Sequence, residues 1–202
     1  MAQPTLFPES GFRRLRIDIA YDGTNFYGWG AQPDRRTIQD LVEEAISRIS
    51  RVDTESIVAG RTDAGVHATG QVIHVDVPDV IFDGELNYID FRYKLNRILD
   101  EDVRIMNITD APDGFHARFS ALRRHYLYKL IDNNDVTPPL SRYDVASWYR
   151  PLEVDRMNEA SKFVLGHHDF AAFCKFRQGG TTIRTLEKYE WKRTDEGVLV
   201  AD

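Results

Sequence analysis

Residues 56–77 read SIVAGRTDAGVHATGQVIHVDV, and the architecture of the chain follows from how this stretch divides. Ser56 to Gly60 is a short apolar run, whereas Gln71 to Val77 alternates, placing Ile73, Val75 and Val77 on one face of a strand. The glycine-rich polar residues between them form the loop that joins the two strands. Upstream, Leu15, Ile17 and Ile19 alternate with Arg16, Asp18 and Ala20, which predicts a strand over Leu15–Tyr21. A long loop from Asp22 to Arg36 follows, with Gly23, Gly28, Gly30, Pro33 and the aromatics Phe26, Tyr27 and Trp29. Loops of that length are usually functional or mobile. Thr37 is placed to cap a helix whose stripe is Ile38, Leu41, Val42, Ala45, Ile46 and Ile49. Downstream, a second helix is predicted over 85–99 with a rougher stripe of Leu86, Ile89, Tyr93 and Ile98, then a strand over Val103–Ile108. The order β-α-β-β-α-β is the split βαβ pattern, with two helices on one face of an antiparallel sheet.

The second half starts the same way. A strand is predicted over Phe119–Ile131, a helix over Val154–Leu165 closed by Gly166, a strand over Arg184–Arg193 and the opening of another at Val198–Val200. A repeat of the first half would need one more helix and strand, so a truncated chain is expected. The division is residues 1–11 as a loose N-terminal tail, 12–112 as an N-terminal α+β half carrying the glycine-rich loop, and 113–202 as a C-terminal α+β half.

Composition narrows the chemistry. Hydrophobic residues are 42% and charged residues 29% of the 202, ordinary globular usage. No run approaches the roughly 20 apolar residues of a membrane helix, and the N-terminus lacks a signal-peptide core, so a cytoplasmic protein is expected. Cys174 is the one cysteine; it excludes an intrachain disulfide and a thiolate-rich zinc site, and is expected to fill core. The zinc cluster of a base deaminase is thereby ruled out. His167 and His168 beside Asp169 are adjacent rather than spaced as metal ligands, and no metal site is expected. A net charge of −6 disfavours a polyanion partner only weakly, because cations gather at Arg13, Arg14 and Arg16, at Arg35 and Arg36, and at Arg118, Arg123 and Arg124.

The loop at 60–71, GRTDAGVHATGQ, concentrates the chemistry. Gly60, Gly65 and Gly70 are expected to allow positive φ and close backbone approach. Arg61 and Asp63 are two positions apart, so an extended backbone points them the same way and a tight loop can still pair them. A carboxylate held by arginine suits a nucleophile or base, and an Asx-turn with a structural salt bridge fits the same residues. A nucleosidase would need a second carboxylate, and Asp76 lies too far along the strand.

With AYDGTNFYGW at 20–29 before it and FHARFSALRRHYLY at 115–128 after it, this loop resembles the tRNA pseudouridine synthase A family, over a span from about Leu15 to the end of the chain. The fold implied is α+β: two ferredoxin-like β-α-β-β-α-β halves forming an antiparallel sheet with helices on one face, the second half incomplete. The activity implied is isomerisation of uridine to pseudouridine in the tRNA anticodon stem-loop, with no metal or organic cofactor. By the resemblance Asp63 is the catalytic carboxylate and Arg61 orders it and the flipped nucleotide's site. Tyr126 packs against the target uracil, with Tyr128, on the same strand face, as the alternative. Asp22, Phe26 and Trp29 either contact RNA or brace the loop; His116 and Arg118 either support the cleft or touch phosphate; His67 is expected to be structural. The family also implies a homodimer sharing the tRNA when the full-length chain is present, and no membrane partner. A truncated chain that binds tRNA without turning it over is the competing expectation.

Overall fold

The computed structural model describes residues 5–84, 86–132, 136–174 and 180–202, in two compact units, one ending at Arg124 and one starting at His125. In the first unit β1 (Phe12–Tyr21), β2 (Ser56–Val58), β3 (Ala68–Pro78) and β4 (Val103–Asp110) form an antiparallel sheet in the order β2-β3-β1-β4. The helices α1 (Ile38–Ser50) and α2 (Tyr88–Ile98) cover one face of it. This is the split βαβ order expected from residues 15–108.

Alternation along the strands builds the core. Leu15, Ile17 and Ile19 of β1, Ile73, Val75 and Val77 of β3, and Val103 and Ile105 of β4 are buried against Ile38, Val42, Ala45 and Ile46 of α1 and Phe91 and Leu95 of α2. Burying each large side chain contributes about 1.5–3 kcal/mol. Thr37 caps α1 as predicted, accepting the Asp40 N–H, and the helix ends at Arg51 in the left-handed region. The expected stripe of α2 holds at Leu86 and Ile98, which pack on the core, and fails between them. Ile89 and Tyr93 are 70% and 62% exposed, and the buried residues are Phe91 and Leu95. The helix is capped by Asn87, whose side chain accepts from the Ile89 and Asp90 N–H groups, and this start turns Tyr88, Phe91, Leu95 and Ile98 inward. Glu85, the predicted first residue, lies outside the described residues.

The opposite sheet face is polar, and residues 115–120 pack on one end of it. Arg14, 6% exposed, forms a two-pronged pair with Asp76 at 2.8 Å and donates to the carbonyl of Phe115 at 2.9 Å. It also donates to the carbonyls of Thr5 and Leu6, tying down that part of the N-terminal segment. Buried His74 accepts the Ala117 N–H on Nδ1 at 3.0 Å, and its ring meets that of His116 at 4.9 Å. Accepting at Nδ1 requires neutral imidazole. Burial, then the Arg14 charge, push His74 down to about 4 from an ordinary 6.5, and burial lowers His116 in the same direction. Above pH 6.5 the folded and unfolded states are both neutral at His74. As pH falls from there toward 4 the unfolded chain gains a proton that the fold refuses, so stability should drop by up to about 3 kcal/mol. Urea unfolding across that window should show a shallower pH slope for His74→Asn, whose side-chain oxygen can still accept the Ala117 N–H; an unchanged slope would contradict the assignment.

In the second unit β5 (Tyr128–Ile131), β6 (Ala146–Ser147), β9 (Trp191–Arg193) and β10 (Leu199–Ala201) form a sheet in the order β6-β5-β10-β9. Its β5–β6 pair is parallel. Between the helix α3 (Val154–Ser161) and β9 lies a separate hairpin of β7 (Gly166–Asp169) and β8 (Ile183–Leu186). Leu130, Trp191, Leu199 and Ala201 form the core of the four-stranded sheet, with Leu152, Val154 and Met157 packed on them. Arg193 grips buried Asp132 through both guanidinium nitrogens, at 2.7 and 3.0 Å. The predicted strand over 119–131 shrinks to β5, because residues 128–131 alone find ladder partners, at 199–201 and 146–147. The predicted strand over 184–193 splits into β8 and β9, which belong to different sheets. The predicted helix over 154–165 ends as α3 at Ser161 and tightens into a 3₁₀ turn, with Gly166 at φ +102° opening β7. Cys174 is exposed, not core filler.

Candidate active site

The strand register places the site. The last residue of β1, Tyr21, pairs with Ala68 at the start of β3 and with Val103 at the start of β4. Three connections therefore meet at one end of the sheet: the 22–36 loop, the 59–67 loop, and the α2–β4 turn at 99–102.

The 59–67 loop is held backbone to backbone by the 22–36 loop. Trp29 donates its N–H to the Thr62 carbonyl at 3.0 Å, and Gly65 donates to the Phe26 carbonyl at 3.2 Å. The Tyr21 hydroxyl meets Thr62 Oγ1 at 2.9 Å, and Gln71 Nε2 donates to the Gly60 carbonyl at 2.8 Å. Two glycines make the approach possible. A Cβ on Gly23 would lie 2.1 Å from the Val66 carbonyl oxygen, and one on Gly28, at φ +96°, would lie 2.7 Å from that of Thr62. Within the loop, Val66 donates its N–H to the Asp63 carbonyl at 3.2 Å, closing a four-residue turn that has Gly65 at φ +77°. Of the three glycines expected to be special, Gly65 alone has positive φ, Gly60 is packed against the Arg124 side chain, and Gly70 has neither constraint. Arg124 also donates to the Ala59 carbonyl.

Asp63 thus stands at the corner of a braced turn with its side chain exposed. Among the described residues it makes no side-chain hydrogen bond or ion pair, and neither does Arg61, which runs past Gly30, with Nε 3.7 Å from where a Cβ there would be. The two side chains are therefore not paired with each other.

Asp22 accepts from the Thr24 N–H and hydroxyl, and mainly the hydroxyl bond lowers its carboxyl below the usual range. His67 Nδ1 lies 3.1 Å from the Gly23 N and 3.0 Å from Asp22 Oδ1. One nitrogen cannot serve both at once: without a proton Nδ1 accepts from the Gly23 N–H, and with one it donates to Asp22. Either way the pair closes the seam between the two loops. Trp29 is fully buried and packs 6.1 Å from Tyr21, inside the loop. His116 is also buried, its ring tilted against that of Phe119 at 4.5 Å. Arg118 is exposed, with its guanidinium 5.6 Å from the Phe119 ring. Tyr126 and Tyr128 belong to the second unit. Tyr126, 65% exposed, precedes β5 and makes no hydrogen bond among the described residues; Tyr128 opens β5 and meets Trp191 edge-on at 6.2 Å. The described residues hold no cluster of three or more potential metal ligands, and no described helix is long and apolar enough to cross a membrane.

The arginine clusters are mostly consumed by internal pairing. Arg13 pairs with Asp79, Arg14 with Asp76 and Arg16 with Asp18. Arg36 reaches Asp102 with two nitrogens at 2.9 Å and Asp100 at 2.7 Å, and lies 3.9 Å over the Phe26 ring. It thereby ties the 22–36 loop to the α2–β4 turn, a role that nothing in the sequence distinguishes from that of Arg35. Arg36→Met should lower stability by about 1–2 kcal/mol, the range for charge-assisted bonds that are partly open to water. Urea midpoints would check this, and Asp102→Asn should recover part of the loss by removing the stranded carboxylate.

Comparison with known proteins bears on what such a loop does. A sequence model described as tRNA pseudouridine synthase matches residues 18–120. The tRNA pseudouridine synthase A of Frankia casuarinae is 50% identical over 193 residues, covering 95% of this chain and 69% of that protein. The Streptomyces avermitilis protein of the same name is 48% identical over 200 residues, covering 96% and 68%. That of Mycobacterium leprae is 47% identical over 197 residues, covering 93% and 68%.

Proposed function

The chain belongs to the tRNA pseudouridine synthase family, and we propose that it isomerises uridine to pseudouridine in the tRNA anticodon stem-loop with Asp63 as the catalytic carboxylate. The observation that carries this reading is the 59–67 turn. It is fixed from the 22–36 side by two backbone hydrogen bonds and two glycine contacts, and it presents one carboxylate that has no side-chain partner among the described residues.

In the reaction the C1′–N1 bond of uridine breaks, the uracil turns, and C1′ bonds to C5. The C5 proton leaves and N1 ends protonated, so atoms balance without a donor or a redox partner. The target base must leave its stack to reach a side chain, and contacts in the site repay the unstacking. Asp63 acts at the base or the sugar in the bond-breaking step. Arg61, on the same turn and without a carboxylate partner among the described residues, orders the flipped nucleotide and Asp63 in the complex. Tyr126, exposed and without a hydrogen bond among the described residues, packs on the uracil. Preorganisation counts because a displacement of about 1 Å in such a group costs on the order of 10²-fold in rate.

Mapping pseudouridine by carbodiimide adducts and reverse-transcription stops, on an unmodified transcript incubated with this chain, tests the reading. Stops confined to the anticodon stem-loop are expected. Stops in another arm would overturn the substrate assignment, and tRNA binding without any stop would favour a binding module.

A further inference from the structure

We propose that Tyr27 and Arg35 form a second RNA contact beside Asp63, in which the ring stacks a base flanking the target nucleotide and the guanidinium meets a phosphate. The proposal rests on the reading of the chain as a tRNA-modifying enzyme.

Tyr27 sits between two residues that touch the Asp63 turn. The carbonyl of Phe26 takes the Gly65 N–H, and Gly28 packs on the Thr62 carbonyl. Anything bound at the Tyr27 ring is therefore fixed relative to that turn. The ring is not a loose appendage, since Tyr27 donates its N–H to the Arg36 carbonyl at 3.0 Å and takes Gln32 Nε2 on its own carbonyl at 2.9 Å. Yet 50% of the residue's surface is open, whereas its neighbours Phe26 and Trp29 are buried.

Arg35 lies with its guanidinium 4.3 Å from the Tyr27 ring centroid. Among the described residues it has no carboxylate partner, in contrast to Arg36, whose charge is met by Asp100 and Asp102. Arg61, likewise without a carboxylate partner, borders the same loop at Gly30. On a chain of net charge −6, two such cations and an open ring next to the catalytic turn suit an anionic strand with exposed bases. Base–aromatic stacking tolerates any base, and a guanidinium laid on a ring still directs its N–H groups outward to phosphate.

The test is the affinity of the purified chain for unmodified tRNA transcript, by fluorescence anisotropy over a series of salt concentrations. Tyr27→Ala should weaken binding about 10-fold and Tyr27→Phe should retain it. Arg35→Gln should flatten the plot of log affinity against log salt by about 0.7–0.9. Melting temperatures should stay within about 2 °C of wild type, as for surface substitutions generally. Affinity within about twofold and an unchanged salt slope in both variants would overturn the inference and leave the functional reading standing. A loss of affinity matched by a large fall in melting temperature would also overturn it, showing the pair to be an internal staple of the loop. A wild-type chain that binds no tRNA would remove both.

Discussion

Asp63→Asn should reduce single-turnover isomerisation of tRNA by on the order of 10⁴-fold or more, the scale seen when the group that forms or breaks bonds is removed. Asparagine matches the size of aspartate and leaves the turn's backbone bonds in place, since those run from Gly65 and Val66 and to the Thr62 carbonyl. Among the described residues no internal partner of the Asp63 side chain is lost either, so unfolding midpoints should move by no more than about 0.5 kcal/mol. Stopped reactions with pseudouridine quantified after nuclease digestion would check the rate. A variant within tenfold of wild type would remove Asp63 from the chemistry and return the turn to a structural role.

Gly23→Ala should also slow the reaction, although Gly23 carries no reactive group. Its Cβ would lie 2.1 Å from the Val66 carbonyl oxygen and 2.5 Å from the carbonyl carbon, both backbone atoms that no rotamer change can move. Relief requires the 22–36 loop and the turn bearing Asp63 to separate, which also stretches the seam at His67 and Asp22. A separation of about 1 Å predicts a loss on the order of 10²-fold in kcat, with about 1–3 kcal/mol of stability lost to overpacking. Gly70→Ala, at a position with nothing within 4 Å of the added carbon, is the control from the same motif. Equal behaviour of the two variants would mean that the contact between the loops does not position the carboxylate.

Several parts of this arrangement were readable from local chemistry. Strict alternation gave β1 and β3, and Thr37 followed by an amphipathic stripe gave α1, because cap and periodicity agree there. They disagree in α2. That helix carries apolar residues on two faces, Ile89 and Tyr93 on one and Phe91 and Leu95 on the other, and only the Asn87 cap selects between them. Residues 119–127 belong to the stretch expected as a strand, but a strand exists only where a neighbour supplies a ladder, and pairing begins at Tyr128. The glycine-rich loop announced itself by composition, whereas its bracing did not. Gly23 and Gly28 look like ordinary loop glycines until the opposing carbonyls of Val66 and Thr62 are in place. Arg35 and Arg36 are adjacent and identical in type, and only the tertiary position of Asp100 and Asp102 separates an internal clamp from an open cation.

Tritium release from tRNA transcripts labelled at uracil C5, incubated with this chain, tests the central claim most directly, because C5 loses its hydrogen only when the base is rejoined through that carbon. Release that rises to a plateau set by the number of target uridines, and that is absent with Asp63→Asn, is the predicted result. No release by a wild-type chain that nevertheless binds the same transcript would contradict it.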